Sequence, residues 1–283
     1  MSQFKIGIIA DMLRMPFAES MEQCARMGAD GVQIYAVSEE MLTASDEELK
    51  KKSRIIRDNG LQISALCGDL GGHGFTRRDE NEKKVKTSKH IIDMALTMGC
   101  NIVTTHIGVI PEDASSETYK VMQDACGELA EYAAGVGAFF AIETGPEPSD
   151  RLCRFLDSLG GSKGMSVNLD PANLVMVAGD DPVQAVHNLS KYIVHTHAKD
   201  GIMLQKTDPK IIYDFFAEGG IEDLHLGDYF LEVPLGEGKV DFPSYLAALK
   251  EIGFGGYLTI EREVGDKPVE DIAKAVAFLR GMI

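Results

Sequence analysis

Eight short apolar runs recur along this chain, each bounded by turn residues and each accompanied by a segment whose apolar residues fall at helical spacing. The runs occupy residues 4–10 (FKIGIIA), 31–36 (GVQIYA), 61–66 (LQISAL), 101–107 (NIVTTHI), 138–144 (AFFAIET), 165–170 (MSVNLD), 192–198 (YIVHTHA) and 256–261 (GYLTIE). Most are continuously hydrophobic rather than alternating, as strands buried on both faces should be. Segments 46–60 and 81–99 place apolar residues three and four apart and close on a glycine, the pattern of a helix and its end. Further helices are expected at 17–28, 115–134, 150–159, 181–190, 241–252 and 268–281. Strands alternating with crossover helices build a parallel sheet. An open doubly wound sheet competes with a closed barrel, but eight strand–helix units predict a (β/α)₈ TIM barrel. No Pro-rich linker or low-complexity tract divides the chain, so a single α/β domain over residues 1–283 is expected.

One connection breaks the rhythm. Residues 199–240, after the seventh run, are too many for an ordinary loop. Asp208 and Pro209 read as the N-cap and first residue of a helix over IIYDFFAEGG. That inserted helical and loop segment is expected to be either a lid over the C-terminal face of the barrel or a contact between copies in a homo-oligomer.

Charge and cysteines narrow the function. A net charge of −16 opposes any polyanionic partner, so nucleic acid is not expected. Cys24, Cys67, Cys100, Cys126 and Cys153 are scattered, odd in number and form no CxxC, which fits a reducing compartment. The N-terminus runs directly into a strand, and nowhere do about 18 apolar residues follow one another, so a cytoplasmic protein without membrane attachment is expected.

Side chains at the C-terminal ends of barrel strands converge on one site. In chain order these ends carry Asp11, Gln33, Asp69, His106, Glu143, Asp170, His197 and Glu261. Unpaired carboxylates on nearly dry strands are costly. Three carboxylates and an imidazole sharing a pocket call for a neutralising charge, which a divalent cation supplies most directly. Mixed oxygen and nitrogen ligation suits Mn²⁺ best, with Mg²⁺, Co²⁺ and Zn²⁺ as alternatives.

The runs AIETG (141–145), NLDPAN (168–173), HTHAKD (195–200), LGEGKVDF (235–242) and LTIERE (258–263) resemble those of the xylose-isomerase-like barrel superfamily of sugar isomerases and epimerases. The resemblance is strong over the last four barrel strands and looser, through VTTHIG and LGGHG, over the first half. It implies that Glu143, Asp170, His197 and Glu261 bind one divalent metal ion. It also implies that Glu143 and Glu261 remove and return a proton on the carbon beside a ketose carbonyl, by way of an ene-diolate that the metal stabilises. The partner so implied is a small sugar or polyol ketone.

One position departs from that pattern. Many ketose epimerases of the superfamily carry a histidine three residues after the strand-six aspartate, where it contacts substrate, and Asn173 stands there as the candidate substrate contact. Asparagine donates and accepts hydrogen bonds but carries no proton, which gives weight to a dehydratase of inosose-type keto-polyols beside an isomerase or epimerase. An abasic-site endonuclease needs additional histidine ligands and a less acidic chain; a non-catalytic sugar or metal sensor does not need both glutamates.

Other polar residues have two readings each. His106, His195, Lys199, Arg262 and His73 are candidate substrate contacts. Against that stand a structural histidine at the barrel top, a hydrogen-bonded core histidine, rim ion pairs for Lys199 and Arg262, and a loop histidine that falls short of the site. GDLGGHGF (68–75) matches neither GxGxxG nor the phosphate-binding P-loop and is read as a flexible active-site loop. Cys67 is expected to be inert packing, and Tyr35 or Phe75 to wall the sugar.

Overall fold

A computed structural model describes residues 3–283. Among the described residues ten strands form: β1 (Lys5–Ile9), β2 (Gly31–Tyr35), β3 (Gln62–Cys67), β4 (Ile102–Thr105), β5 (Phe139–Glu143), β6 (Met165–Leu169), β7 (Ile193–Ala198), β8 (Asp200–Met203), β9 (Phe230–Val233) and β10 (Tyr257–Ile260). All but β8 and β9 pair in parallel and close into a barrel in the order β1-β10-β7-β6-β5-β4-β3-β2. The closing contact sets Gly7 against Thr259 on one side and against Gly31 on the other. The expected (β/α)₈ barrel is the fold.

Helices surround it: α1 (Phe17–Met27), α2 (Glu39–Leu42), α3 (Asp46–Asp58), α4 (Arg78–Met98), α5 (Glu117–Val136), α6 (Ser149–Ser158), α7 (Pro171–Asn173), α8 (Pro182–Asn188), α9 (Pro209–Ala217), α10 (Phe242–Glu251) and α11 (Pro268–Arg280). Local chemistry sets their ends. Ser45 and Glu48 form a capping box that starts α3, the serine hydroxyl accepting from Glu48 N and the carboxylate accepting from Ser45 N at 2.8 Å. Gly99 ends α4 with φ 86°, a left-handed turn that costs glycine little. Ile6, Ile8, Phe140, Ile142, Val167 and Leu258 are fully shielded between strands and helices. Truncating Phe140 to alanine there would cost about 3–5 kcal/mol.

The inserted segment has more structure than its sequence predicts. β8 and β9 pair antiparallel, from Asp200 against Val233 to Met203 against Phe230. Between them Asp208 caps α9, accepting from Lys210 N at 2.9 Å, with Pro209 as first residue. After β6, α7 continues into a π-helical turn over Leu174–Ala178, a wide turn often found at functional sites. The glycines of LGEGKVDF answer to Asp200. Its carboxylate accepts from the backbone N–H of Gly201 (2.9 Å), Gly236 (3.0 Å), Gly238 (2.9 Å) and Val240 (3.1 Å). A Cβ on Gly238 would lie 2.1 Å from Asp200 Oδ1, so no other residue fits that loop. Among the described residues no helix is long and apolar enough to cross a membrane.

Candidate active site

Alternation along the strands decides what faces the barrel axis. β7 and the residue after it place His195, His197 and Lys199 on one face; β6 and the residue after it contribute Asn168 and Asp170, β5 contributes Glu143, and β10 and the residue after it contribute Thr259 and Glu261. Glu143, Asp170, His197 and Glu261 are all buried, and one ligating atom from each lies within 4.8 Å of the other three. Nδ1 of His197 sits centrally: 3.6 Å from Glu143 Oε1, 3.4 Å from Asp170 Oδ2 and 3.2 Å from Glu261 Oε2.

The donor set fits a divalent cation. Asp170 spends Oδ1 on the N–H groups of Ala172 (2.8 Å) and Asn173 (2.9 Å), capping α7, while its fully buried Oδ2 receives no hydrogen bond. An orphaned buried carboxylate oxygen is expensive, and this one is turned toward the other three donors. Burial disfavours an imidazolium at His197, yet Glu261 and Glu143 push its pKa well above the ordinary histidine value. The three carboxylates thus demand positive charge at their centre.

Beneath this set a polar layer holds the ligands in place. Gln33 Oε1 lies 3.2 Å from His197 Nε2, and Gln33 Nε2 donates to the Thr104 hydroxyl at 3.2 Å. With Nε2–H donating to Gln33, the Nδ1 lone pair is free to face a metal, the usual second contact of a ligating histidine. Asn168 Nδ2 donates to Glu143 Oε2 at 3.3 Å, and Asn168 Oδ1 accepts from His195 Nδ1 at 2.8 Å. The remaining His195 nitrogen takes the Thr259 hydroxyl at 3.0 Å. Burial, with His197 beside it, lowers the His195 pKa well below the usual value, so this ring is neutral.

Above the ligands the groups differ in kind. Asn173 Nδ2 donates to Glu143 Oε1 at 3.0 Å and to Thr144 O at 3.3 Å, so it fixes the glutamate. His106 points Nε2 at Glu143 Oε1 from 3.8 Å while Nδ1 meets Asp69 Oδ2 at 3.1 Å. Burial opposes charge on His106, but Glu143 and Asp69 outweigh it and lift its pKa to about 10. Lys199 reaches Glu261 Oε2 at 3.1 Å, also bonds the Glu263 carboxylate, and faces Glu232 Oε2 at 3.8 Å. For Glu261, burial pushes the carboxyl up, but Lys199 and His197 prevail and hold it below the usual range.

Two candidates stand apart from the ligands. Arg262 turns outward, binding Glu232 Oε1 at 2.7 Å and Asp271 Oδ2 at 3.1 Å, and so ties β9 and α11 to the rim. His73 bridges the 68–75 loop to α9, with Nε2 2.6 Å from Glu218 Oε1 and Nδ1 3.5 Å from Asp214 Oδ1. Cys67 has its thiol pKa driven upward by burial, which suits inert packing. Phe75 is core, packed edge-on to Phe140 at 6.4 Å.

Tyr213, on the inserted α9, escapes sequence reasoning. Its ring centroid lies 5.8 Å from that of His106, and its hydroxyl occupies the space where a side chain at position 145 would be, 2.2 Å from a Cβ built there. Gly145 and an aromatic residue midway along the inserted helix were the only signals. Glu147 also lay unremarked: buried, it accepts from Ile110 N at 3.3 Å, and desolvation pushes its pKa up to about 8.

With four candidate ligands converging from four strand ends, comparison with known proteins is decisive. The family described as xylose isomerase-like TIM barrel matches residues 21–282. The chain belongs to that family. A xylose isomerase domain protein from Planctomyces limnophilus has the same architecture, with a TM-score of 0.80 and 26% identity over 99% of this chain and 96% of that one. D-psicose 3-epimerase, solved with D-fructose, superposes with a TM-score of 0.73 at 16% identity, covering 99% of each chain. The probable 3-DHS dehydratase AsbF from Bacillus anthracis gives 0.75 at 16% identity, over 98% of this chain and 99% of its own. At those identities the last two speak to the fold alone, and they span two reaction types on it.

Proposed function

We propose that this protein is a metal-dependent enzyme that removes and returns the proton beside the carbonyl of a polyol ketone, acting as an isomerase or epimerase. One observation carries the reading: Glu143 and Glu261, on strands three places apart around the barrel, converge with Asp170 and His197 on one point. Those four residues would hold a single divalent ion, Mn²⁺ suiting the donor set best, and the ion would stabilise negative charge developing on substrate oxygens. Asp170 and His197 have their other polar atoms engaged by backbone N–H groups and by Gln33, so they serve as anchors. Glu143 is fixed by Asn173 and Asn168, and Glu261 by Lys199, which leaves each able to exchange a proton with a substrate carbon. Lys199 keeps Glu261 ionised, the form that can accept a proton; His106 and Tyr213 close the Glu143 side.

Dehydration of a keto-polyol is the second reading, favoured by the Asp69–His106 pair. A protonated His106 3.8 Å from Glu143 is placed to hand a proton to a departing hydroxyl. Both reactions begin with the same proton abstraction. Incubating the Mn²⁺-loaded protein with ketoses and inososes in D₂O and following them by NMR separates exchange, epimer formation and loss of water. Glu143→Gln is expected to keep the fold and abolish exchange; exchange at the wild-type rate would refute the assignment.

A further inference from the structure

Lys199 and Arg262, beside the strand-end carboxylates, are already matched to carboxylates of the chain, while the exposed Arg14 donates to the backbone carbonyls of Glu263 (2.9 Å) and Gly265 (3.2 Å). Lys199 is shared among Glu261, Glu263 and Glu232. Arg262 lies between Glu232 and Asp271. Lys84, beside the 68–75 loop, binds Glu80 Oε2 at 2.8 Å and Gly74 O at 2.7 Å. The rings of His106 and His73 are likewise engaged, by Asp69 and by Glu218 with Asp214, whatever their charge. Three ligating carboxylates against one divalent ion leave a negative excess at the centre.

Barrels of this architecture that take phosphate commonly do so with backbone amides of the loops after the last two strands. Such an amide cluster exists here, in the connection that follows β7, and it is filled from within. The N–H groups of Gly201, Gly236, Gly238 and Val240 all converge on the Asp200 carboxylate. Asp200 is 1% exposed, so no outside anion competes for the position.

We infer that the substrate is a neutral, unphosphorylated polyol ketone, and that phosphorylated or carboxylated counterparts are rejected by charge. This rests on the reaction proposed above and names its substrate class. A dianion at the mouth would face Glu143, Glu261 and Glu263, whose neighbouring cations Lys199 and Arg262 are already shared with carboxylates. Like charges so placed cost enough to lower kcat/KM by at least about 30-fold.

Matched pairs test it on the Mn²⁺-loaded protein: D-fructose against D-fructose 6-phosphate, and D-fructose against D-fructuronate, its C6 carboxylate. Solvent deuterium exchange is expected for a neutral member, with its charged counterpart slower by about 30-fold or more. A charged member that exchanges as fast as the neutral one overturns the inference. Glu263→Gln, which removes one carboxylate from Lys199, is expected to narrow the ratio several-fold; an unchanged ratio removes mouth charge as its cause. Calorimetric titration of the Mg²⁺-loaded protein with inorganic phosphate needs no turnover. No saturation is expected up to about 10 mM, and saturable binding competed by D-fructose overturns the inference. Failure of every sugar to exchange would sink the proposed reaction and leave the charge argument to the phosphate titration.

Discussion

Gln33→Leu isolates what the polar layer contributes to the metal site. Gln33 is 1% exposed, its Oε1 accepts from His197 Nε2 at 3.2 Å, and its Nε2 donates to Thr104. Leucine fills similar volume and removes both bonds. His197 then loses the acceptor that keeps the proton on Nε2, and the tautomer with a protonated Nδ1, useless to a metal, becomes accessible. Losing such an outer partner typically weakens metal affinity by about 10- to 100-fold, or about 1.4–2.8 kcal/mol. Calorimetric Mn²⁺ titration of both proteins at one pH measures this directly, with thermal unfolding of the metal-free forms as the control for packing. Gln33→Glu restores the acceptor and adds charge, so it should bind metal at least as tightly as the parent. An unchanged dissociation constant in Gln33→Leu would show that His197 is oriented by something else.

Metal addition itself should raise the melting temperature, by about 2.7 kcal/mol of stabilisation at one hundred times Kd, and a chelator should reverse it; no shift at saturating Mn²⁺ would contradict the ligand set. Glu147 has a folded pKa of about 8 against an ordinary 4.5, so folding favours its protonated form, and that stability is complete below 4.5 and lost as pH rises through 8. Glu147→Gln should therefore melt higher than the parent at pH 8 and converge with it in acid, as differential scanning calorimetry would record. Gly145→Ala should push α9 off the barrel and raise KM several-fold, because the new Cβ would stand 2.2 Å from the Tyr213 hydroxyl. Adding Tyr213→Phe removes that oxygen and should recover most of the loss; a double variant as impaired as the single one would disprove the contact.

The barrel was legible because its strands are continuous apolar runs, a signal that survives without tertiary context. The four convergent residues were legible because each is a polar residue ending such a run, and strand ends of a closed barrel share one space. Asn173 and Gln33 were visible by position but not by role, since what each touches depends on the register between β2, β6 and β7 and on the turn after β6. The β8–β9 ribbon escapes the sequence because its strands have four residues each and are separated by residues 204–229, which contain a helix. Tyr213 was missed for the same reason: nothing local says which face of α9 lies on the barrel. Phe75 drew attention as a wall because its loop sits at the mouth, but the turn through Gly74 carries its ring into the core behind β5.

The chain supplies its own anion to the loop before α10, and this makes the mouth mechanically uneven. On that side four N–H groups are clamped to Asp200, buried and indifferent to salt. Across the opening, Glu218 at the end of α9 meets His73 of the 68–75 loop by a hydrogen bond and Arg77 by a partly exposed ion pair, of the kind that contributes little and is screened by electrolyte. One jaw is therefore fixed before any ligand arrives and the other is compliant. Raising the ionic strength is therefore expected to loosen the α9 contacts while the Asp200 clamp and the four convergent side chains beneath it keep their geometry.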